Sequence, residues 1–356
     1  MRVRPTGWPP SSAAPYDRRT VLTSGGSDRE TVVPDSEAFV RDTEPFRREL
    51  LAHCYRMLGS VDDATDVVQE AYLRAWRSYG AFEGRSSVRT WLYQIATNAC
   101  LTALAHHSRR VLPSGLGGPE PDPAAAPVPA EPGVGWLQPA PDVLFSADAA
   151  DPASVVVARE DLRLALVASL QYLSGAQRAV LMLREVLSFP AAEVAVMLGT
   201  TTAAVKSTLQ RARARLRQIT PAADAMTQPT EPEAQEFLDQ YIAAFQNSDA
   251  AALERLLCRD ATLEATPFKT WFAGQRTCVP YLRTWVLGSP GDWLMLPTSA
   301  NGQPAAVAYT RDRNGTYQAY GIVVLTVTGA GISHIFSFNE PSLVATFGFP
   351  PTAVPG

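Results

Sequence analysis

Residues 189–218 read FPAAEVAVMLGTTTAAVKSTLQRARARLRQ, and this stretch contains two helical patterns separated by a glycine. The apolar residues of the first pattern are Val194, Val196, Met197 and Leu198. Gly199 follows at a place where helices commonly end in a left-handed residue, and Thr201 or Thr202 can cap a second helix. The stretch therefore predicts a helix-turn-helix.

The second helix of this motif combines an apolar stripe with a basic face. The stripe has spacings of four, three and four residues, which keep its members on one side of a helix: Val205, Leu209, Ala212 and Leu216. Another face carries Lys206, Ser207, Gln210 and Arg211. Residues 203–217 include five basic residues and no acidic one, which suits a phosphate-lined DNA groove. The alternative is a basic, solvated helix in an ordinary bundle.

The length and charge distribution of the chain indicate several functional units. Its 356 residues suffice for two or three domains. The net charge of −4 hides a strong segregation, because residues 163–217 hold eight basic and two acidic residues, whereas residues 113–152 hold six acidic residues and no basic one. We therefore expect the DNA-binding and acidic segments to be separate parts of the chain.

The cysteine pattern and the absence of long apolar runs indicate a cytoplasmic protein. The four cysteines are far apart in the sequence and favour buried thiols in a reducing compartment: Cys54, Cys100, Cys258 and Cys278. The adjacent His106 and His107 point in different directions on a helix, so we expect no metal site and no cofactor. The sequence has no run of about 18 apolar residues that would span a membrane. Residues 1–40 lack the apolar core of a signal peptide and are expected to be a disordered tail.

The remaining patterns divide the chain into three units and two linkers. Residues 41–108 have helical periodicity and predict a compact bundle, and residues 154–219 are helical through the helix-turn-helix. Residues 109–153 predict an extended acidic linker, since residues 113–152 contain ten prolines and five glycines. Large apolar side chains in this linker either cover a neighbouring domain or await a partner: Trp136, Leu137, Leu144 and Phe145. A second linker is predicted at 220–230.

Residues 231–349 change in periodicity from helices to strands. An amphipathic helix and a shorter one precede strand-like runs at 262–265, 293–298, 305–309, 317–328 and 332–338. The dipeptides Asn301-Gly302 and Asn314-Gly315 are hairpin turn signals between these runs. Helices followed by an antiparallel meander predict an α+β domain, a curved sheet wrapped around a helix with a cone-shaped cavity. The expected fold class is thus multidomain, with two all-α domains and a C-terminal α+β cone.

Three sequence blocks resemble the extracytoplasmic-function (ECF) sigma factors of bacterial RNA polymerase. DATDVVQEAYLRAW at 63–76 resembles the core-binding helix of that family, and SSVRTWLYQIATN at 86–98 resembles its promoter-melting and −10-reading segment. VKSTLQRARARL at 205–216 resembles its −35-reading helix. The C-terminal unit, with NGQPA at 301–305, is similar to the SnoaL-like domain of a sigma subgroup that includes the SigG and SigJ types. The resemblance implies a non-catalytic promoter-specificity subunit whose partners are core RNA polymerase, promoter duplex and the melted non-template strand.

The resemblance also implies roles for individual residues. The −35 contacts are expected from Lys206, Ser207, Gln210 and Arg211. The −10 contacts are expected from Arg85, Ser86, Ser87 and Asn98, with Arg74 and Arg77 on backbone phosphates. The polymerase-binding face, here called the acidic face, comprises Asp63, Asp66, Gln69 and Glu70, although a solvated helix face explains these residues equally well. Thr65 departs from the family pattern, in which an acidic residue is common, and Trp91 is interpreted as a core residue rather than a base-stacking one.

The C-terminal unit leaves more than one function open. Its ionisable candidates for acid–base chemistry are Glu264, Asp292 and His334, but no motif fixes their mutual geometry. A regulatory domain that tunes the sigma part, with a possible small ligand, is favoured over an active site. The alternatives are a SnoaL-like enzyme with a DNA-binding module and a ligand-sensing transcription factor that binds operators unaided.

Overall fold

The computed structural model of the protein describes residues 36–106, 108–145, 163–219 and 230–354. Several sequence-based expectations lie wholly or partly outside these residues: the tail up to residue 35, His107, the linker from residue 146, the helical start at 154–162 and the second linker at 220–229. Helix α1, Ser36–Thr43, begins within the segment 1–40 that was predicted to be disordered, so the prediction is wrong for residues 36–40. The ring of Phe39 explains this, because it packs edge-on against Trp76 and Tyr79 at 5.2 and 5.3 Å between centroids.

The first helical domain is a bundle of α1, α2 (Arg47–Leu58), α3 (Val61–Ser78) and α4 (Val88–His106). Gly59 ends α2 with a φ of 73°, a left-handed conformation that favours glycine. Ser60 then caps α3, its hydroxyl accepting a hydrogen bond from the amide of Asp63 at 3.1 Å. This sharp connection sets α2 and α3 side by side, and α4 packs against both.

The second helical domain contains α5 (Leu164–Leu170), α6 (Gly175–Leu181, followed by a π-helical turn), α7 (Ala191–Met197) and α8 (Thr202–Ile219). Gly199 has a φ of 60°, and the Thr201 hydroxyl accepts from the Ala204 amide at 3.1 Å, so α7 and α8 are joined as the sequence indicated. The assignment of Val196 to the apolar set is wrong, since 74% of this residue is exposed. Helix α7 has only seven residues, and its buried side is already filled by Val194 and Met197.

The described part of the acidic linker, residues 109–145, lies against folded domains. Leu137 is fully buried, and Phe145 packs on Tyr55 with ring centroids 5.6 Å apart. The linker also forms isolated β-bridges between Val111 and Trp136 and between Pro129 and Phe268. Two interpretations of the apolar linker residues were open, that they cover a neighbouring domain or that they await a partner. The structure shows the first, since these residues pack on neighbouring domains.

The C-terminal domain is α+β. Its helices and strands are α9 (Glu231–Gln246), α10 (Ala250–Leu256), β1 (Leu257–Thr266), β2 (Trp271–Ala273), α11 (Gln275–Tyr281), β3 (Trp293–Ala300), β4 (Gln303–Arg311), β5 (Tyr317–Thr328), β6 (Gly331–Phe338), α12 (Ser342–Thr346) and β7 (Thr352–Ala353). The strand order is β2-β1-β6-β5-β4-β3, β7 pairs with β5, and only β1 and β6 run parallel among the described strands. The two asparagine-glycine turns lie between β3 and β4 and between β4 and β5, which confirms the predicted hairpins.

The two faces of this sheet belong to different cores. One face packs on α9, α10 and α11 through alternating residues that include Leu263, Ala306, Ala308, Val323, Leu325 and Ile335. The other face joins the core of the helical domains through Ala305, Val307, Tyr309, Ile322, Val324, Phe336 and Phe338. A strand buried on both faces is a near-continuous apolar run, as in residues 322–325. The predicted fold class is confirmed, and the sheet is also the surface on which the helical domains pack.

Candidate nucleic-acid and polymerase interface

The basic face of α8 is exposed as the sequence predicted. Val205 and Ala212 are buried against α6 and α7, and Leu209 and Leu216 pack beside them. On the outer side, the four predicted −35 residues are all exposed: Lys206, Ser207, Gln210 and Arg211. Their spacing of one, three and one residues places them on a face that one major groove can accept.

The arginines of α8 differ in how far their side chains are already paired with other residues of the domain. Arg213 forms an ion pair with Glu185 of the π-helical turn, so part of its charge is compensated within the domain. Among the described residues, Arg211 donates to the Thr208 hydroxyl at 3.0 Å, and its side chain is exposed. Arg215 and Arg217 are exposed. The helix therefore presents its strongest positive charge outward, where DNA phosphates can approach.

The predicted −10 residues occupy two separate places. Arg85, Ser86 and Ser87 lie in the exposed loop before α4, where Arg85 pairs with Glu83 at 3.2 Å. The Ser87 hydroxyl accepts from the Thr90 amide at 3.0 Å and so caps α4. Asn98 lies ten residues into α4, about 15 Å along the helix axis from its first residue. The loop and Asn98 can thus contact one DNA strand only at different nucleotides.

A cleft of about 360 Å³ between α3 and α4 surrounds Asn98. Its lining residues are Arg74, Ser78, Trp91, Gln94, Ile95 and Asn98. The structure thereby brings a predicted phosphate contact, Arg74, beside a predicted base contact, although Arg74 also pairs with Glu70 at 2.7 Å. Trp91 is half-buried, lies on Phe82 at 4.8 Å between ring centroids, and forms a wall of the cleft rather than a full core residue. Arg77 is exposed at the end of α3.

The two helical domains contact each other next to this cleft. The Asn98 amide nitrogen donates to the Met197 carbonyl at 3.3 Å, and the Arg89 guanidinium lies 5.0 Å from the centre of the Phe189 ring. The buried Arg178 guanidinium of α6 donates to the Met57 carbonyl at the end of α2. We call this packing of the helix-turn-helix domain on the first bundle the closed arrangement.

The acidic face of α3 is only partly open. Asp66 and Gln69 are exposed, whereas Glu70 pairs with Arg74 and Asp63 pairs with Arg110 of the linker. Leu73 lies one turn beyond Gln69 and is 51% exposed. Leu73 is not among the predicted site residues, although its apolar side chain lies at helical spacing from Asp66 and Gln69 and could have indicated it. A partner surface that carries basic groups next to an apolar patch would complement the carboxylates and Leu73 of this face.

The three acid–base candidates of the C-terminal domain do not form one site. Glu264 lies on β1, and its carboxylate accepts from the Ser114 amide of the linker at 2.7 Å; burial raises its pKa. Asp292 lies beside β3, three strands away from β6, and faces Arg311 at 3.5 Å. His334 shares a sheet face with Glu264 but stacks on Phe336, and burial lowers its pKa. Glu264 therefore bonds the linker, and Asp292 is too far away to act together with Glu264 or His334.

The turn between β3 and β4 makes contacts that the sequence did not reveal. Asn301 is fully buried, and its amide nitrogen donates to the Tyr55 hydroxyl of α2 at 2.8 Å. Its amide oxygen accepts from the Ala140 amide of the linker at 2.9 Å, and Tyr55 in turn donates to the Gln138 carbonyl at 2.8 Å. The next strand begins with Gln303, whose side-chain oxygen accepts from the amide of Leu164 at 2.9 Å. This hairpin tip, residues 301–303, thus touches both helical domains and the linker.

Metal-ligating clusters and membrane-crossing helices are both missing from the described ranges. No group of three or more His, Cys, Asp or Glu side chains is placed to hold a metal ion in residues 36–106, 108–145, 163–219 and 230–354. None of the helices described above is long and apolar enough to cross a membrane.

Comparison with known proteins agrees with the sigma-factor resemblance of the sequence. A family model for sigma-70 region 2 matches residues 43–110, and a model for sigma-70 region 4 matches residues 163–216. A Mycobacterium tuberculosis protein named ECF RNA polymerase sigma factor SigG is 47% identical over 326 residues, which is 91% of this chain and 87% of that protein. SigJ of the same species is 32% identical over 63% of each chain. The crystal structure of M. tuberculosis SigJ superposes with a TM-score of 0.55 over 88% of this chain and 99% of that one, at 24% identity, so the fold is shared.

Proposed function

Because the chain belongs to the ECF family of RNA polymerase sigma factors, non-enzymatic proteins that bind core polymerase and promoter DNA to direct promoter-specific initiation, we propose specific roles for its surfaces. The exposed face of α8 reads the −35 element. The loop at 85–87 and Asn98 contact the melted −10 strand, with Arg74 and Arg77 on phosphates. The acidic face of α3 binds polymerase. Since its partners are polymerase and chromosomal promoters, we place the protein in the cytoplasm.

The −35 role is supported by the exposure of all four predicted side chains on one face. Gln210 and Arg211 can form hydrogen bonds to base edges in the major groove, while Arg215 and Arg217 lie further along the helix and suit phosphates. Arg213 is the weakest of these candidates because it already pairs with Glu185.

The −10 role is supported by the cleft around Asn98. An aromatic wall from Trp91 and an amide from Asn98 suit an unstacked base, since any base can stack on an aromatic ring. The closed arrangement ties Asn98 to Met197, so we propose that the two helical domains separate when the protein engages a promoter.

The C-terminal domain, we propose, restrains the sigma part by holding its pieces together. The observation that carries this proposal is the buried hairpin tip, in which Asn301 connects Tyr55 of the first bundle to Ala140 of the linker. Gln303 adds a contact to the second helical domain, because its side-chain oxygen accepts a hydrogen bond from the Leu164 amide at the start of α5. Separation of the helical domains must break or bypass these bonds, so the C-terminal domain stabilises the closed arrangement.

A small ligand in the C-terminal domain stays a prediction. The side chains that support it are Tyr241, Tyr281 and Tyr320, whose rings lie in the core between sheet and helices. Burial raises the pKa of all three hydroxyls, for Tyr281 and Tyr320 to about 12. These neutral phenols would donate to oxygen atoms of an uncharged ligand.

The restraint is tested with the full chain in transcription assays on core polymerase. Asn301→Gly removes the amide but keeps the left-handed backbone, whose φ is 58°. The matched control is Asn314→Gly in the other asparagine-glycine turn, which is exposed. We expect higher transcript yield from Asn301→Gly than from the control at equal holoenzyme concentration. Equal yields from the two variants, with the exchange of the Ala140 amide accelerated only in Asn301→Gly, would contradict the restraint.

A further inference from the structure

Two pieces of the linker cross the N-terminal end of the core-binding helix α3. The Val111 amide donates to the Gly135 carbonyl, and the Leu137 amide donates to the Val111 carbonyl, both at 2.9 Å. Leu137 is buried in the core of the first bundle. The linker is thus fixed in position here by its own backbone pairing and by an apolar anchor.

Linker side chains bond the polar groups of the first turn of α3. The Gln138 side-chain oxygen accepts from the Ser60 hydroxyl at 2.7 Å and from the Val61 amide at 3.1 Å. Its nitrogen donates to the Asp62 carboxylate at 3.0 Å. These bonds compensate donors and a charge that the helix N-terminus would otherwise present to a partner.

Arg110 bonds the carboxylate at the start of the acidic face. Its guanidinium donates through Nε and Nη2 to Asp63 Oδ2, and its Nη1 donates to the Trp136 carbonyl at 2.9 Å. The two side chains are only 20% and 26% exposed, so this ion pair is better shielded than the pair between Glu70 and Arg74, which is 46% exposed on both sides. Asp66, one turn further along, is open to solvent.

We propose that Arg110 is an internal competitor for polymerase at Asp63. A basic group of polymerase that approaches the acidic face meets Asp66 and Gln69 directly, but finds Asp63 already paired with a guanidinium. Full engagement of the face therefore requires the linker at 110–111 and 135–138 to leave α3. The inference rests on the proposed role of Asp63 in polymerase binding.

The test measures binding of full-length, fluorescently labelled protein to core RNA polymerase by anisotropy. Arg110→Gln removes the competing charge, and we expect affinity to rise about two- to fivefold, the range of a partly exposed ion pair. Arg109→Gln is the matched control, because this neighbouring arginine lies 4.3 Å from the centre of the Tyr172 ring and does not pair with Asp63. We expect no gain from Arg109→Gln. In an Asp63→Asn background, Arg110→Gln should lose its effect.

Distinct outcomes separate this inference from the proposed polymerase face. If Asp63→Asn and Asp66→Asn weaken binding but Arg110→Gln leaves it unchanged or weakens it, the competitor is overturned while the acidic face stands. If neither aspartate substitution weakens binding, the face itself is wrong. An equal gain from Arg110→Gln with and without Asp63 would also overturn the competitor. Arg110→Lys, which keeps the charge, covers the case in which Arg110→Gln unfolds the linker, and it should bind polymerase no more than twofold tighter than the parent chain.

Discussion

Removing one hydroxyl from Tyr55 should loosen the joint between the C-terminal domain and the first bundle. In Tyr55→Phe the ring still fills its site, so the change is confined to hydrogen bonding. The hydroxyl is fully buried, accepts from Asn301 at 2.8 Å and donates to Gln138 at 2.8 Å. Its loss removes one hydrogen bond to the buried Asn301 amide and one to the buried Gln138 carbonyl, at about 1–3 kcal/mol for each. Because neighbouring groups relax, we expect a total of about 2–3 kcal/mol.

Hydrogen exchange reports this loss at the joint itself. The Ala140 amide donates to the Asn301 side-chain oxygen at 2.9 Å, and the Asn301 amide donates to the Ala140 carbonyl at 3.0 Å. Both amides exchange with solvent when these contacts open. A loss of about 2 kcal/mol corresponds to roughly 30-fold faster exchange of these two amides. The control is Tyr317→Phe, whose hydroxyl donates to the Gly291 carbonyl at 2.7 Å within the C-terminal domain. Less than threefold acceleration in Tyr55→Phe, or equal acceleration in both variants, would show that the Tyr55 hydroxyl does not hold this joint.

Three further predictions concern other parts of the chain. Arg211→Ala should reduce the free energy of promoter binding by about 1–3 kcal/mol and relax the base preference at one −35 position. Arg217→Ala should instead weaken binding to all promoters alike and flatten the salt dependence of binding. Identical behaviour of the two variants on a promoter panel would show that the faces are misassigned. Burial lowers the pKa of His53 to about 3, so the folded state holds this ring neutral while the unfolded state takes up a proton below pH 6.5. Stability should fall by about 1.4 kcal/mol per pH unit from 6.5 towards 3, and His53→Gln should flatten that slope in acid-unfolding curves. Val196→Ser should change the unfolding free energy by less than about 0.5 kcal/mol, while Val194→Ser, at a fully buried site, should cost several times more.

The helical parts of the fold could be predicted because their signals are local. Gly59 and Gly199 end helices in left-handed conformations, Ser60 caps α3, and the stripe from Val205 to Leu216 faces the core. The apolar set of α7 was overestimated at Val196, because periodicity shows which residues share a face but a seven-residue helix buries only a narrow one.

The contacts between domains could not be predicted from local patterns. The dipeptide Asn301-Gly302 indicated a hairpin, yet nothing near it in sequence indicates that Tyr55, 246 residues away, would share its hydrogen bonds. The linker was predicted to be extended from its prolines and glycines, and the pairing of Arg110 with Asp63 depends on the bundle that the linker crosses. Exposure of the −35 residues followed from the helix period, whereas the separation of Asn98 from the loop at 85–87 depends on where α4 begins.

Promoter-specific initiation by this chain is tested most directly by transcription with purified core RNA polymerase on a promoter library. If the chain is a promoter-specificity subunit, adding the full-length protein produces transcripts from a subset of promoters that share −35 and −10 elements. Lys206→Ala should then change which −35 sequences are used, while binding to core polymerase is retained. Core polymerase that gains no promoter-specific transcripts, or a promoter preference that is unchanged by Lys206→Ala and Arg211→Ala together, would contradict this prediction.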